Sequence, residues 1–239
     1  MGTGRLAVIA GSGVAVDDLV GGAELRHVEL ASRRVVARDA GEIVVIGRHG
    51  DVDPLPAHRV DHETNARALV ELGCDRVLAL ASTGSLRVDW PIGTVVFPDD
   101  FFAPWVNPSV FEDTRGHTVP GFDEQWRKRA VDAWRASTDT PAADGGVYVQ
   151  TIGPRFETPA EIRFLATVGD LVGMTLAAEC VIAKEVGLAY AAVCMIDNMA
   201  NGIGEIALTL EAFEAGVADN RRRFVEDVGR VIPTLVEDA

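Results

Sequence analysis

The chain has few cysteines, few lysines and few aromatic residues. Its 239 residues include three cysteines, Cys74, Cys180 and Cys194, and two lysines, Lys128 and Lys184, while aromatic residues make up 6% of the sequence. The cysteines form no C-x-x-C pair, which argues against a disulfide scaffold. An odd number of cysteines in apolar surroundings is typical of buried free thiols in a reducing compartment. We therefore expect a cytoplasmic protein.

Long apolar runs are also missing. The first apolar run covers residues 6–10, which is too short for the core of a signal peptide. No run approaches the roughly 20 apolar residues that a membrane-spanning helix needs. Gly2 is followed by Leu6 where an N-myristoylation motif has Ser or Thr. The sequence thus predicts neither a secretory leader nor a membrane anchor.

Positive charge is scarce as well, since 22 Lys and Arg residues face 36 Asp and Glu residues and give a formal net charge of -14. Such a surface repels a phosphodiester backbone, and no basic stripe interrupts it, so we exclude a general nucleic-acid binder. One or two arginines can still bind a small anion locally. The apolar fraction of 48% is that of an ordinary globular protein, which needs no metal or disulfide to hold its core.

The order of apolar segments predicts an α/β fold. Six short runs rich in Val, Ile and Ala are typical of strands buried on both faces: residues 6–10, 43–46, 77–81, 95–97, 147–152 and 190–196. Helical periodicity covers residues 59–72, 123–136, 158–168, 176–186 and the segment from 208 onward. Strands that alternate with helices favour one three-layer α/β/α domain over residues 1–239. The Pro-rich stretch 98–122 is long for a connection, which favours a binding loop.

Polar residues follow most of the predicted strands directly. They stand at 11–13 (Gly-Ser-Gly), 47–50 (Gly-Arg-His-Gly), 82–85 (Ser-Thr-Gly-Ser), 153–158 (Gly-Pro-Arg-Phe-Glu-Thr) and 197–198 (Asp-Asn). Ligands of α/β proteins gather at the carboxyl ends of strands. An oxyanion such as phosphate needs hydroxyls, an arginine and glycine amides, because glycine permits close approach and the amides donate hydrogen bonds. These segments predict an anion site.

Three of these segments also have simpler interpretations. Residues 11–13 are compatible with a tight turn, and a dinucleotide site is disfavoured because Val16 stands where the third glycine of G-x-G-x-x-G belongs. Arg48 and His49 are compatible with a surface ion-pairing couple. Residues 82–85 resemble a helix N-cap as much as a phosphate cradle.

The last two segments are also open to a structural interpretation. Thr158, followed three residues later by Glu161, predicts a capping box with proline at the first helical position. The capping box does not explain why Phe156 and Glu157 stand directly before the helix. Residues 197–198 are compatible with a simple turn.

A histidine pair offers a rival hypothesis. His58 and His62, with Asp61 before the second, resemble the H-x-x-E-H helix of zinc peptidases. The shorter carboxylate of Asp61 reaches less far than the usual glutamate, and no third ligand is evident. A solvated helix face is the better interpretation, and no metal site is predicted.

Taken in order, the segments resemble the purine nucleoside phosphorylase and methylthioadenosine phosphorylase family. The resemblance covers most of the chain and is most specific at 153–161, 172–175, Glu179, 183–187 and 190–191, preceded by the motifs at 11–13, 48–50 and 84–86. It implies one α/β domain around a mixed, partly barrelled sheet, assembled as a homotrimer or a dimer of trimers. It also implies that phosphate is a co-substrate and that no metal or organic cofactor is used.

The resemblance further implies the roles of individual residues. Phosphate is expected to be held by Ser12, Arg48, His49, Ala81, Ser82 and Thr175. The purine is expected to contact Phe156, Glu157 and Asn198, the ribose Met174, and the 5' end Leu210 together with His117 from a neighbouring subunit. Asn198, His49 and Asp197 are the candidate catalytic residues.

The implied reaction transfers a pentose from a purine to phosphate. The ribose gains oxocarbenium character and the purine gains negative charge, so both need stabilisation at once. Family members that act on 6-aminopurines place aspartate where this chain has Asn198. Because Glu157 accepts a hydrogen bond from the N1 proton of a 6-oxopurine, and an amide tolerates the 6-oxo group, we expect inosine, guanosine or 5'-methylthioinosine as substrate. Since Asp197 could restore an amino preference, 5'-methylthioadenosine remains the alternative.

Several positions depart from the family pattern. Ala81 replaces a phosphate-binding threonine of the methylthioadenosine branch, residues 60–62 read Val-Asp-His in place of Val-Asn-Tyr, and residues 104–114 follow no expected pattern. These departures leave a further alternative, a nucleoside-binding protein without catalysis.

Overall fold

A computed structural model describes residues 4–30, 33–51, 53–204 and 208–237. Within them, the strands are β1 (Arg5–Ala10), β2 (Glu24–Leu30), β3 (Arg33–Asp39), β4 (Ile43–Gly47), β5 (Cys74–Ser85), β6 (Val95–Phe97), β7 (Asp100–Phe102), β8 (Ala142–Asp144), β9 (Val147–Gln150), β10 (Leu171–Gly173) and β11 (Ala189–Met199). The α-helices are α1 (Val16–Leu19), α2 (His62–Glu71), α3 (Glu124–Ser137), α4 (Pro159–Leu165), α5 (Leu176–Glu185) and α6 (Leu210–Glu237). Two 3-10 turns cover Ala57–Arg59 and Thr114–Gly116.

The strands form one mixed sheet that branches at β5. The main order is β2-β3-β4-β1-β5-β10-β9-β7, while β11 pairs with β5 and with β6, and β6 pairs with β8. The central strands β4, β1, β5 and β11 run parallel, so their carboxyl ends meet at one edge. The β2–β3–β4 and β5–β10 pairs are antiparallel. The site described below lies at the edge where the parallel strands end.

Helices cover both faces of the central strands. On one face, α2 and α5 pack on alternate residues of β5 and β11, among them Ala79 and Ala192. On the other face, α3 and α6 pack on the intervening residues, among them Leu80 and Val193. The strands are buried on both sides because their sequences are almost continuously apolar. The predicted three-layer α/β/α arrangement with a mixed sheet is confirmed.

The structure corrects several predicted boundaries. All six predicted strands exist, but β5 and β11 continue through residues 82–85 and 197–198, which were expected to follow the strands. The helix predicted to begin at residue 59 begins at His62, because the Asp61 side chain accepts a hydrogen bond from the Thr64 amide at 3.0 Å and caps it. Residues 98–122 form an irregular stretch, as predicted, with a short strand and a 3-10 turn inside it.

The capping box predicted at the start of α4 is confirmed, since the Glu161 amide donates to Thr158 Oγ1 and the Thr158 amide donates to Glu161 Oε2. None of the helices in the described ranges is long and apolar enough to cross a membrane.

Candidate active site

One cavity gathers most of the residues that the sequence singled out. It lies at the carboxyl ends of the parallel strands, between the loop after β1, the loop after β4 and the start of α5. Its lining includes Ser12, Arg48, His49, Ala81, Ser82, Phe156, Glu157, Met174, Thr175 and Asn198. The remaining lining residues are Ala57, Thr83, Gly84, Val172, Gly173, Ala200, Leu208 and Phe213.

Arg48, at the end of β4, is held by a buried carboxylate on α5. Its Nε and Nη2 donate to the two oxygens of Glu179 at 2.8 and 2.9 Å, and its Nη1 donates to the Leu80 carbonyl at 2.9 Å. These bonds use three of the five N–H groups of the guanidinium. One N–H on each terminal nitrogen remains for a ligand, in an orientation that the bidentate pair fixes.

The Arg48–Glu179 pair is nearly removed from solvent, with side-chain exposures of 2% and 3%. Burial acts to raise the pKa of Glu179, but the Arg48 guanidinium outweighs it and holds that pKa well below its usual range. The Tyr190 hydroxyl also donates to Glu179, at 2.7 Å. Glu179 is therefore ionised and balances the charge of Arg48. An anion in the cavity meets hydrogen-bond donors without a large net positive charge.

Glycine and serine shape the floor of the cavity. A Cβ atom at Gly11 would lie 2.2 Å from Arg48 Nη1 and 2.4 Å from the Leu80 carbonyl oxygen, so only glycine fits beside the guanidinium. On β5, Ser82 lines the cavity, and its buried hydroxyl lies near the Asp197 carboxylate of β11.

Thr175 stands at the N-cap position of α5 and is buried. Its backbone N–H and that of Leu176 donate to the Tyr148 hydroxyl at 3.2 and 3.4 Å. Gln150 Oε1 accepts from the Ala178 amide at 2.9 Å. Side chains of β9 thus satisfy the start of the helix, which leaves the Thr175 hydroxyl free to face the cavity.

A carboxylate and an aromatic ring form the opposite wall. Glu157 is buried, and its Oε1 accepts from the Thr151 hydroxyl at 2.6 Å. Asn201 Nδ2 donates to the Glu157 backbone carbonyl at 3.0 Å. The ring of Phe156 contacts that of Phe213 from α6, with 5.6 Å between centroids. The wall therefore combines a fixed carboxylate with an aromatic face.

Adjacent residues of β11 point to opposite sides of the sheet. Asn198 lines the cavity, and its Nδ2 donates to the Met199 carbonyl at 3.0 Å. Asp197 faces α6, where Asn220 Nδ2 donates to it at 2.8 Å. Burial raises the pKa of Asp197 and outweighs the interactions with Ser82 and Asn220, which lower it. The strand register shifts at this point, between Ile196 and Asn198. Asp197, one of the predicted catalytic residues, is thus not among the residues that line this cavity.

Two further predicted residues also lie outside the lining of this chain's cavity. His117 is exposed in the irregular stretch, and Leu210 is 57% exposed at the first residue of α6. Leu208 and Phe213, which flank Leu210 in the sequence, line the cavity. Met174, the residue predicted to contact the ribose, lines the cavity and packs against Gly153, where a Cβ atom would lie 2.5 Å from the Met174 sulfur.

The histidine pair does not form the predicted i, i+4 helix face. His58 lies in a 3-10 turn and His62 starts α2, so the chain changes direction between them. His62 is not solvated either, since its side chain is 10% exposed and its Nδ1 lies 3.7 Å from Glu179 Oε2. In the described ranges, no group of three His, Cys, Asp or Glu side chains is placed to hold a metal ion.

Sequence reasoning assigned no role to Glu179, Thr151 or Phe213. Glu179 carried a usable signal, because it is a carboxylate flanked on both sides by apolar residues of α5 and a buried charge requires a partner. Thr151 and Phe213 carried none, since a hydroxyl after a strand and a phenylalanine on a helix are ordinary features. Their positions depend on long-range packing.

The cavity thus places donors for a small anion beside a wall suited to a flat ring with polar edges, an arrangement that fits the binding of an anion and a heterocycle side by side. The chain belongs to the Phosphorylase superfamily, whose family model matches residues 5–236.

Individual relatives agree with this assignment. A probable 6-oxopurine nucleoside phosphorylase of Moorella thermoacetica is 36% identical over 97% of this chain and 93% of its own length. One from Archaeoglobus fulgidus is 35% identical over 84% of this chain and 82% of its length. A probable S-methyl-5'-thioinosine phosphorylase of Methanothermobacter thermautotrophicus is 37% identical over 78% of this chain and 66% of its length. Among solved structures, methylthioadenosine phosphorylase from Schistosoma mansoni in complex with adenine superposes with a TM-score of 0.80, at 25% identity, over 98% of this chain and 91% of that one.

Proposed function

We propose that this chain is a purine nucleoside phosphorylase, a pentosyltransferase that acts on 6-oxopurine nucleosides or on 5'-methylthioinosine. It transfers the pentose to inorganic phosphate and releases the free purine and a (methylthio)ribose 1-phosphate. The proposal rests on one cavity that Arg48, with the donors around it (the Arg48 cradle), lines together with Phe156, Glu157 and Asn198. The names of the relatives support the same reaction.

The geometry supports the reaction by separating its two charges. Phosphate on the Arg48 cradle lies below the ribose and is both the nucleophile and the counter-charge to the developing oxocarbenium ion. The guanidinium is pre-oriented by Glu179, so little reorganisation is needed when phosphate binds. At the other end, the amide of Asn198 has one N–H left after its bond to Met199 and can stabilise the leaving purine at N7.

The preferred purine base follows from the hydrogen bonds that the Glu157 carboxylate can accept. Thr151 donates to Oε1, so Oε2 is the oxygen that this threonine leaves available as an acceptor. A carboxylate oxygen accepts from the N1–H of hypoxanthine or guanine, whereas adenine presents an unprotonated N1 that repels it. A site built to receive a hydrogen bond rejects an analogue that lacks the donor. This favours 6-oxopurines over 6-aminopurines.

A substrate panel tests the proposal. We expect inosine or 5'-methylthioinosine to release hypoxanthine only when phosphate is present, with a kcat/KM above that for 5'-methylthioadenosine. The Glu157→Gln variant gains a donor and is expected to reduce this preference by about tenfold or more. Glu161→Gln, in the exposed pair with Arg155, is the matched control and is expected to retain the preference for the 6-oxopurine nucleoside. A higher kcat/KM for 5'-methylthioadenosine would move the chain to the 6-amino branch, and no phosphate-dependent release would refute the proposal.

Assembly as a homotrimer or a dimer of trimers is part of the proposal. A second cavity shares Glu157 with the first and is lined by large apolar side chains that are about half exposed, namely Trp105, Ile152 and Phe164. A neighbouring subunit would cover such side chains and could bring its own His117 to the 5' end of the substrate. Light scattering on the purified protein measures the mass, and a monomer would contradict this part.

The reaction is proposed to need phosphate but no metal or organic cofactor, and to take place in the cytoplasm. All three cysteines are buried and unpaired, as in a reducing compartment. Burial raises the pKa of Cys74 and of Cys180 to about 12, so neither thiol is a reactive thiolate. Activity that survives dialysis against EDTA is expected, and its loss would reveal a metal requirement.

A further inference from the structure

His49 has one ring nitrogen committed to the protein backbone. Its Nδ1 lies 2.8 Å from the Leu55 carbonyl oxygen, and the Leu55 amide donates to the His49 carbonyl at 2.8 Å. A carbonyl only accepts, so Nδ1 carries the proton. In a neutral imidazole the other nitrogen, Nε2, then has a lone pair and no proton. No partner for Nε2 occurs among the described residues, and the ring lines the cavity.

Burial, more than the neighbouring charges, favours the neutral form of the His49 ring. Burial lowers the pKa of His49, and the Arg48 guanidinium and His62 on α2 lower it further. The Leu55 carbonyl and Glu179 on α5 act in the opposite direction but are outweighed. Asp51, on the same loop, is bound by Arg38 at 2.8 Å. Asp53 and Asp61 line the cavity behind the loop. At neutral pH the anion site thus contains one hydrogen-bond acceptor among its donors.

We propose that His49 accepts a hydrogen bond from the bound anion, so that the site selects the dihydrogen phosphate monoanion and discriminates against oxyanions without a proton. The proposal rests on the proposed function, since it concerns the phosphate of that reaction. The Arg48–Glu179 pair also favours the monoanion. Because Glu179 neutralises Arg48, the site offers hydrogen-bond donors without the net positive charge that would favour a dianion. If the anion carries no proton, the lone pair of its oxygen and the lone pair of His49 Nε2 repel each other, and no hydrogen bond forms.

The proton balance of the reaction is then defined. The C1'–N9 bond breaks and a C1'–O bond to phosphate forms. One proton of dihydrogen phosphate leaves to solvent as the nucleophile attacks, and the departing purine takes up one proton in exchange. The other proton stays on the non-bridging oxygen that faces His49, so the sugar 1-phosphate forms as a monoanion and loses that proton after release.

Sulfate and pH test this directly in the wild-type enzyme. At neutral pH sulfate carries no proton, so we expect its inhibition constant, measured against phosphate, to exceed the phosphate KM by about tenfold or more. The kcat/KM for total phosphate is expected to fall as pH rises through the second ionisation of phosphoric acid. Sulfate that binds as tightly as phosphate, or a kcat/KM that rises through that ionisation, would overturn the inference.

A variant assigns the effect to His49. His49→Gln carries a terminal amide that can donate, so the sulfate-to-phosphate ratio is expected to approach one. His58→Gln makes the same change at an exposed histidine outside the cavity lining and keeps the wild-type ratio. If His49→Gln is inactive, the ratio is read from thermal stabilisation by each anion. A ratio unchanged in His49→Gln would refute the role of His49. Absence of any phosphate-dependent base release from the wild type would refute the proposed function instead, so the two failures differ.

Discussion

Replacing Glu179 by Gln isolates the contribution of the buried ion pair. The substitution keeps the volume but places amide N–H groups against the guanidinium of Arg48, which is 2% exposed and is bonded to no other carboxylate of the described residues. Removing one partner of a buried pair costs about 3–5 kcal/mol, because the remaining charge is left in a poorly solvated site. For a protein of this size, each kcal/mol lowers the Tm by about 2–4 °C. The expected decrease in Tm is therefore roughly 6–20 °C.

The assay is thermal and urea denaturation in phosphate-free buffer. Glu63→Gln is the matched control, because Glu63 pairs with Arg67 on the surface at the same distance of 2.8 Å but with side-chain exposures of 45% and 48%. An exposed helical pair contributes about 0.3–0.5 kcal/mol, so the control should unfold almost like the wild type. Added phosphate should stabilise Glu179→Gln more than the wild type, since it replaces the lost counter-charge. Equal stability of the two variants would refute this reasoning.

The remaining predictions concern the base wall. Thr151→Val keeps the shape but removes the hydroxyl bound to Glu157, so kcat/KM for the 6-oxopurine nucleoside should fall by about tenfold, while Thr151→Ser restores it. An equal loss in the serine variant would show that the methyl group matters and the hydroxyl does not. Asn198→Asp should raise the ratio of kcat/KM for 5'-methylthioadenosine over 5'-methylthioinosine by about tenfold or more, because a carboxylate accepts from the 6-amino group. A ratio that stays constant in a folded variant would contradict the assigned role of Asn198.

The fold was largely predictable because the central strands and the main helices carry their own periodicity. The β2–β3 hairpin was not predicted, since β2 is exposed at most positions and offers no apolar alternation. The polar residues 82–85 were expected after a strand but lie within β5. Pairing with β10 and β11 keeps this end of β5 extended, and a single sequence does not reveal such partners.

The site was predictable to the extent that family motifs are contiguous. Arg48 and His49 were identified, but the partner of Arg48 on α5 is 131 positions away, and only the fold brings the two together. The orientation of Asp197 was not predictable from sequence either. The face of the sheet to which it points, relative to Asn198, depends on a register shift in β11. Chemistry that lies within one segment is readable from sequence, whereas the contacts that orient it are not.

Phosphorus NMR of a single reaction tests the central claim most directly. The protein is incubated with 5'-methylthioinosine or inosine and phosphate, the sugar phosphate is quantified from the phosphorus spectrum, and free hypoxanthine is quantified in the same sample by chromatography with ultraviolet detection. We predict one sugar 1-phosphate for each hypoxanthine released, and no product with Arg48→Ala, which removes the cradle. Hypoxanthine released with free pentose, or released equally without phosphate, would contradict the claim that phosphate bound beside Arg48 is the nucleophile.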